Sequence, residues 1–147
     1  MTDRSTEHAT FVIERSYDAP PGRVFHAWAD EGAKARWFGP PSSEDRALDF
    51  RVGGREHFTS AAPSGDVYAY DAVYRDIVPQ ARIVYSYDMH LNEHRISVSV
   101  TTVEFEPAGE GTRLTFTEQG VYLDGHDTPA KREEGTAGIL TALGRAL

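Results

Sequence analysis

The chain ends in PAKREEGTAGILTALGRAL, residues Pro129–Leu147, and the rest of the chain is interpreted around this segment. The hydroxyl of Thr128 can cap a helix that begins here, and the ring of Pro129 already holds the backbone angle of a first helical turn. An apolar stripe follows at helical spacing through Ala137, Leu140, Gly144 and Leu147. The stretch therefore predicts one long carboxy-terminal helix whose apolar face the rest of the chain must cover.

Three glycines, Gly135, Gly138 and Gly144, lie inside this predicted helix. Each costs roughly 1 kcal/mol of helix propensity relative to alanine. We expect the cost to be tolerated because a sheet, or a ligand lying on a sheet, approaches the helix closely at these positions.

Length and composition place the chain in a single domain. A length of 147 residues suits one domain. We expect the polar residues 1–9 to form a flexible amino terminus and residues 10–147 to form the domain. Cysteine is absent, which excludes disulfides, thiolate zinc sites and cysteine nucleophiles. The first residues lack the apolar core of a signal peptide, so the sequence predicts a soluble cytoplasmic protein.

The charge balance limits the partners. The formal net charge is −8, from 23 acidic against 15 basic residues. Such a balance disfavours binding to phosphate backbones and to anionic membranes. No apolar run approaches the roughly twenty residues of a membrane-spanning helix. We therefore expect neither a nucleic acid nor a membrane as partner.

Upstream of the helix, the hydrophobic period is mostly two. A first strand over residues 10–18 is followed by Ala19-Pro20-Pro21-Gly22, which starts two short helices that end near Gly39-Pro40-Pro41. The connections among the later strands are too short for parallel crossovers, so the sheet should be antiparallel. Six further strands are predicted at about 46–52, 55–60, 67–78, 82–90, 94–107 and 111–120.

These elements predict an α+β fold. A curved, antiparallel seven-stranded sheet would wrap around the long helix, the two short helices would close one end, and a cavity would lie between helix and sheet. Within the longest strand, the apolar residues Ile96, Val98 and Val100 have the opposite parity to Val103 and Phe105. A bulge near Thr101–Thr102 would place both groups on one face.

Several motifs, in the right order, resemble one known family. They are DAPPGRVFHAW at residues 18–28, RWFGP at 36–40, RVGG at 51–54, YRDIVPQARIVYSY at 74–87, VEFE at 103–106 and GTRLT at 111–115. Through them the chain resembles the START-like (SRPBCC, Bet v-like) superfamily, and within it the bacterial single-domain branch named after the activator of the Hsp-90 ATPase. The resemblance covers about residues 10 to 145.

The resemblance implies a helix-grip fold with a cavity for small hydrophobic molecules. Relatives in the superfamily are lipid or hormone carriers, polyketide cyclases, resistance proteins that bind toxic small molecules, and co-chaperones. Two positions depart from the family pattern: Thr136 stands where tryptophan is frequent, and Ala72 stands where glycine is frequent. The chain is also too short to include the chaperone-binding domain of the eukaryotic activator.

Tyrosines cluster in two neighbouring strands. Tyr68, Tyr70 and Tyr74 share one strand face, and Tyr85 and Tyr87 share another. They are either ordinary half-buried sheet residues or the wall of an aromatic pocket. Under the second interpretation, the expected ligand-binding residues are Trp37, Phe38, His57, Tyr70, Tyr74, Tyr85, Tyr87, Phe116, Glu118 and Leu140.

Two titratable residues are candidates for catalysis. Glu118 continues the apolar face of Leu114 and Phe116, and His57 can face the same interior. Glu118 either reaches solvent at a strand end or faces the cavity, where a carboxylate would have a raised pKa. In the second case Glu118 or His57 could act as general acid or base. His90 and His94 flank a predicted turn without a third ligand, so we expect no metal and no cofactor.

The leading hypothesis is the binding of a small hydrophobic or aromatic molecule between the helix and the sheet. One alternative is a cyclase- or hydratase-like enzyme that uses acid/base residues of the cavity. The other is a chaperone-interaction module, which would need an exposed apolar patch. A homodimer, through an edge strand or the first helices, is compatible with each of them.

Overall fold

The computed structural model of the protein describes residues 4–40, 43 and 45–147. The helices are α1 (Pro21–Ala29), α2 (Glu31–Lys34) and α3 (Pro129–Ala146). None of the helices in these ranges has the length and apolarity needed to span a bilayer. The strands are β1 (Thr6–Tyr17), β2 (Ala47–Leu48), β3 (Arg55–Ala61), β4 (Val67–Val78), β5 (Arg82–Leu91), β6 (His94–Ala108) and β7 (Gly111–Leu123).

The strands form one antiparallel sheet in the order β1-β7-β6-β5-β4-β3-β2. Strands β2 to β7 follow one another as neighbours, as their short connections require, and β1 adds to the free side of β7. Together with the long carboxy-terminal helix and the two short helices after β1, this confirms the predicted helix-grip fold. The strand predicted at 46–52 is reduced to the two residues of β2.

The amino terminus is more ordered than its composition predicts. β1 begins at Thr6 and pairs there with Leu123, so the prediction of flexibility is wrong for residues 6–9. Residues 1–3 lie outside the described residues. The backbone N–H of Asp124 donates to the Ser5 carbonyl at 2.9 Å, which extends this attachment.

The helix starts follow their predicted caps. The hydroxyl of Thr128 accepts from the Lys131 N–H at 3.2 Å, and Pro129 is the first residue of α3. The carboxylate of Asp30 accepts from the Ala33 N–H at 2.9 Å and caps α2. The last helix is then fixed to the sheet by Tyr17, whose hydroxyl donates to the Leu140 carbonyl at 2.8 Å.

The helix glycines have different surroundings. A Cβ added at Gly144 would lie 3.2 Å from the ring of Tyr17, which fits the expected close approach. At Gly135 and Gly138 an added Cβ would meet nothing within 4 Å among the described residues. The sheet therefore does not approach the helix closely at those two positions. The alternative of a ligand lying on the sheet stays a prediction for Gly135, which borders the cavity.

The bulge in the long strand lies elsewhere than predicted. Met89 pairs with Ser97 and His90 pairs with Arg95, so Ile96 is the extra residue, and no irregularity occurs at Thr101–Thr102. Because β6 is regular at Thr101–Thr102, Val98 and Val100 face outward, and they are 37% and 43% exposed. Inward positions of β6 are instead taken by the hydroxyl residues Ser97, Ser99 and Thr101, all buried.

Candidate functional site

A cavity of about 310 Å³ lies between α3 and the concave face of the sheet. Helix α3 contributes a short run of its first turns, including Arg132, Thr136 and Ile139. The remaining wall comes from β3, β4, β5 and β7 and from the segment after α2. Its aromatic and sulfur-containing residues are Phe38, Phe58, Tyr68, Tyr70, Tyr85, Tyr87, Met89 and Phe116.

The aromatic rings of this wall contact one another. Tyr70 lies at the centre, with the ring of Phe58 stacked at 5.0 Å, the ring of Tyr87 at 5.0 Å and the ring of Phe38 edge-on at 5.3 Å, measured between centroids. Such ring pairs contribute to stability beyond their buried area. The cavity is therefore bounded by a largely aromatic surface suited to a flat molecule.

The polar end of the cavity is built around Glu118, which is 2% exposed. Its carboxylate accepts hydrogen bonds from the Tyr87 hydroxyl at 2.9 Å and from the Thr101 hydroxyl at 3.1 Å. The pKa of Glu118 is raised, because the effect of burial outweighs the opposing effects of the nearby Arg132 guanidinium and of these hydrogen bonds. A carboxyl group with spare acceptor capacity is thus held at the inner surface of the cavity.

Arg132 connects α3 to this polar end. Its guanidinium donates to the Tyr87 oxygen at 2.8 Å, to the Ser97 hydroxyl at 2.8 Å and to the Asp127 carboxylate at 3.0 Å. It also lies 3.7 Å from Glu118 Oε2. A buried carboxylate is thereby compensated by a largely buried cation, which is the arrangement that burial of charge requires.

The sequence interpretation missed Arg132. A signal was present, because Arg132, Thr136 and Leu140 are four residues apart and share one face of α3. A basic residue on the inward stripe of an amphipathic helix needs an acidic partner inside, and Glu118 is that partner.

A second buried polar cluster lies behind the cavity wall. The Lys34 ammonium donates to Glu56 Oε1 at 2.7 Å and to the Tyr74 oxygen at 3.1 Å, while the Tyr74 hydroxyl donates to the same Glu56 oxygen at 2.9 Å. The Lys34 and Glu56 side chains are each 1% exposed. Burial lowers the pKa of Lys34, and Glu56 opposes that effect. The ammonium lies 4.2 Å from the ring centroid of Phe38, whose ring borders the cavity.

The predicted ligand-binding residues divide into three groups. Trp37, Tyr74 and Leu140 are buried but do not border the cavity. His57 lies apart from all the others. Those that border the cavity are Phe38, Tyr70, Tyr85, Tyr87, Phe116 and Glu118.

The placement of His57 in the interior is wrong. Its neighbours along β3, Glu56 and Phe58, take the inward positions, so the imidazole points outward and is 38% exposed. Its Nδ1 lies 2.7 Å from Asp71 and its Nε2 lies 3.0 Å from Asp45. Partial burial lowers the pKa of His57, but the hydrogen bonds to the two aspartates outweigh it and raise the pKa. The described residues hold no group of three or more histidine or acidic side chains placed to bind a metal.

Comparisons with known proteins identify the family and the fold of the chain. The model of the family described as Activator of Hsp90 ATPase homolog 1-like protein matches residues 18–147. A comparison with curated proteins gave no match.

Two solved structures are similar in sequence and fold. One is a putative uncharacterized protein from Rhizobium leguminosarum, with 49% identity over 99% of this chain and 97% of that one, at a TM-score of 0.94. The Mll3558 protein from Rhizobium loti shares 48% identity over 97% and 99% of the two chains, with a TM-score of 0.93. CalU16 from Micromonospora echinospora, at 20% identity over 99% and 85% of the chains and a TM-score of 0.68, shares the fold alone.

Proposed function

Because the chain belongs to the family of Activator of Hsp90 ATPase homolog 1-like proteins, whose fold is a ligand-binding one, we propose that it binds a small, largely apolar aromatic molecule in the cavity beside α3. The observation that carries this proposal is the aromatic wall around a volume of about 310 Å³. That volume lies at the lower end of the range of small-molecule sites, roughly 300–1,000 Å³. The ligand would therefore be compact, of the size of two or three fused or linked rings.

The wall and the polar end have separate roles in this proposal. Stacking against Tyr70 and its neighbouring rings would supply most of the binding free energy, since burial of apolar surface is the dominant favourable contribution. Glu118 would orient the ligand by accepting a hydrogen bond from a hydroxyl or N–H group, because its carboxylate keeps free lone pairs. Arg132 would hold Glu118 and Tyr87 in place for that contact.

A neutral fluorescent aromatic, N-phenyl-1-naphthylamine, tests the binding proposal. We expect saturable one-to-one binding to the native protein with an increase in probe emission. Thr136→Trp should weaken binding at least about tenfold, because Thr136 borders the cavity and is 7% exposed, so the indole would occupy the ligand volume. Thr141→Trp is the matched control, since Thr141 is exposed on the same helix. Absence of saturable binding, or equal weakening by both substitutions, would contradict the proposal.

A catalytic role for Glu118 is the second candidate. It is favoured by one observation, a cavity carboxyl with a raised pKa that accepts from the Tyr87 hydroxyl. Such a group could take a proton from a bound ligand and return it through Tyr87 in a cyclase- or hydratase-like reaction. Glu118→Gln keeps the side-chain volume, so turnover of any cavity ligand should fall by at least about a hundredfold while probe binding persists. Unchanged turnover in that variant would exclude Glu118 as the acid or base.

A chaperone-interaction role has less support from the surface. The exposed valines Val12, Val98 and Val100 lie on the outer face of the sheet. On that face the polar residues Thr117 and Gln119 of β7 lie between β1 and β6. Polar side chains consequently separate Val12 from Val98 and Val100, so the three valines form no continuous patch, and the cavity is the better supported site.

A further inference from the structure

Strand β1 is a long edge of the sheet that β7 pairs on one side only. It spans Thr6–Tyr17, contains neither proline nor glycine, and pairs with β7 without a bulge. The opposite edge, β2, has two residues. Natural edge strands of this length are usually protected by prolines, bulges or a covering element. Helix α3 is hydrogen-bonded to β1 at Tyr17, at the far end of the strand, and the side chains of Thr10, Val12 and Glu14 are exposed.

Three charged residues of this strand, Glu7, Glu14 and Arg15, form no ion pair with the other described residues of the chain. The guanidinium of Arg15 donates to the carbonyl of Glu14, which leaves most of its donors unused. An edge that presents unpaired backbone groups together with unpaired charges of both signs is suited to binding another strand.

We propose that two copies of the chain associate through β1, antiparallel and about a two-fold axis at Phe11. The two sheets would then be continuous. In this register Glu7 lies opposite Arg15 of the second copy, and by symmetry Arg15 lies opposite Glu7 of the second copy. On the outer face His8 lies opposite Glu14, and near the centre Ala9 lies opposite Ile13.

Charge complementarity selects this register. In an antiparallel pair, two residues that lie directly opposite each other point to the same face of the sheet. The inner side chains of both copies therefore stay on the inner face only when inner residues lie opposite inner residues, and the registers that meet this condition differ from one another by steps of two residues. A two-fold axis at Thr10 would place Glu7 opposite Ile13, and an axis at Val12 would place it opposite Tyr17. Among these three registers, only the axis at Phe11 pairs Glu7 with Arg15.

A charge-swap experiment tests the proposal with the full chain. Glu7 and Arg15 are eight residues apart in an extended strand, about 26 Å, so they cannot contact each other within one chain. Glu7→Arg and Arg15→Glu each create two like-charge contacts in the dimer, and each should raise the dimer dissociation constant at least about tenfold. The double variant keeps the net charge of −8 and restores both contacts, so its dissociation constant should return to within about threefold of the native value.

Sedimentation velocity over a range of protein concentrations measures these constants, with circular dichroism as the check on folding. An equimolar mixture of the two single variants should form a heterodimer, because each copy then supplies the charges that the other needs. Arg82→Glu, on an exposed residue of β5, is the control for a change in net charge and should leave the dimer unaffected. A native protein that stays monomeric to about 0.5 mM would overturn the proposal, as would single variants that dimerise like the native chain or a double variant that is not rescued.

Discussion

Replacing Lys34 with methionine removes the cation from the buried cluster behind the cavity wall. Methionine has a similar length, so the change deletes the ammonium while retaining most of the side-chain packing. Glu56, whose side chain is 1% exposed, would keep the Tyr74 hydroxyl as a donor but lose the ammonium at 2.7 Å. The carboxylate would then be a buried charge without compensation.

The magnitude follows from the burial of this pair. Removing one partner of a buried ion pair costs about 3–5 kcal/mol of unfolding free energy, because the remaining charge is uncompensated. For a chain of 147 residues this corresponds to a decrease in Tm of about 6–20 °C. Replacing all three members, as Lys34→Met/Glu56→Leu/Tyr74→Phe, leaves no unpaired polar group and should recover all but about 1–2 kcal/mol of the loss.

Urea unfolding followed by tryptophan fluorescence measures both variants, since Trp28 and Trp37 are buried. The control is Arg82→Met, which breaks the Arg82–Asp76 pair, whose side chains are 50% and 41% exposed. That substitution should cost at most about 1 kcal/mol. The reasoning would be refuted if Lys34→Met cost no more than the Arg82 control, or if the triple variant were less stable than Lys34→Met alone.

Three further predictions concern the helix and the polar end of the cavity. Gly138→Ala should raise the unfolding free energy by roughly 1 kcal/mol in thermal melts, whereas Gly144→Ala should gain less or lose stability because its methyl group meets the Tyr17 ring at 3.2 Å. Tyr17→Phe should cost about 1 kcal/mol in urea unfolding, since the Leu140 carbonyl loses its donor; an unchanged midpoint would contradict this hydrogen bond. Burial raises the pKa of Glu118 in the folded protein above its ordinary value of 4.5. The protonated carboxyl group therefore contributes to the stability of the fold below pH 4.5, and this contribution is lost as the pH rises through the raised pKa. The stability of Glu118→Gln relative to the native chain should therefore increase from pH 4.5 towards neutrality, and a constant difference across that range would contradict the shift.

Local sequence features were sufficient to predict the helices and strands and their order along the chain. The cap at Thr128 followed by Pro129, the helical spacing of Leu140 and Leu143, and the short turns between the strands are all local features. They act through backbone angles and through the period of apolar residues, and both can be read along the chain. Five of the predicted ligand-binding residues that border the cavity lie on β4, β5 and β7, where period-two alternation grouped the residues of one face. Alternation alone does not say which of the two faces is concave.

Which polar side chains contact one another depends on long-range packing and could not be predicted from local sequence features. β6 is regular from Ser97 to Phe105, with its extra residue at Ile96 rather than at Thr101–Thr102, so hydroxyl residues point inward and the valines expected there point outward. The same dependence on strand register separates His57 from the interior and brings Glu56 to Lys34, twenty-two residues away in the chain. Arg132 meets Glu118 for a related reason, since their contact depends on how α3 lies across the sheet. Register and helix placement result from packing over the whole molecule, and a shift of one residue exchanges the two faces of a strand without changing its local pattern.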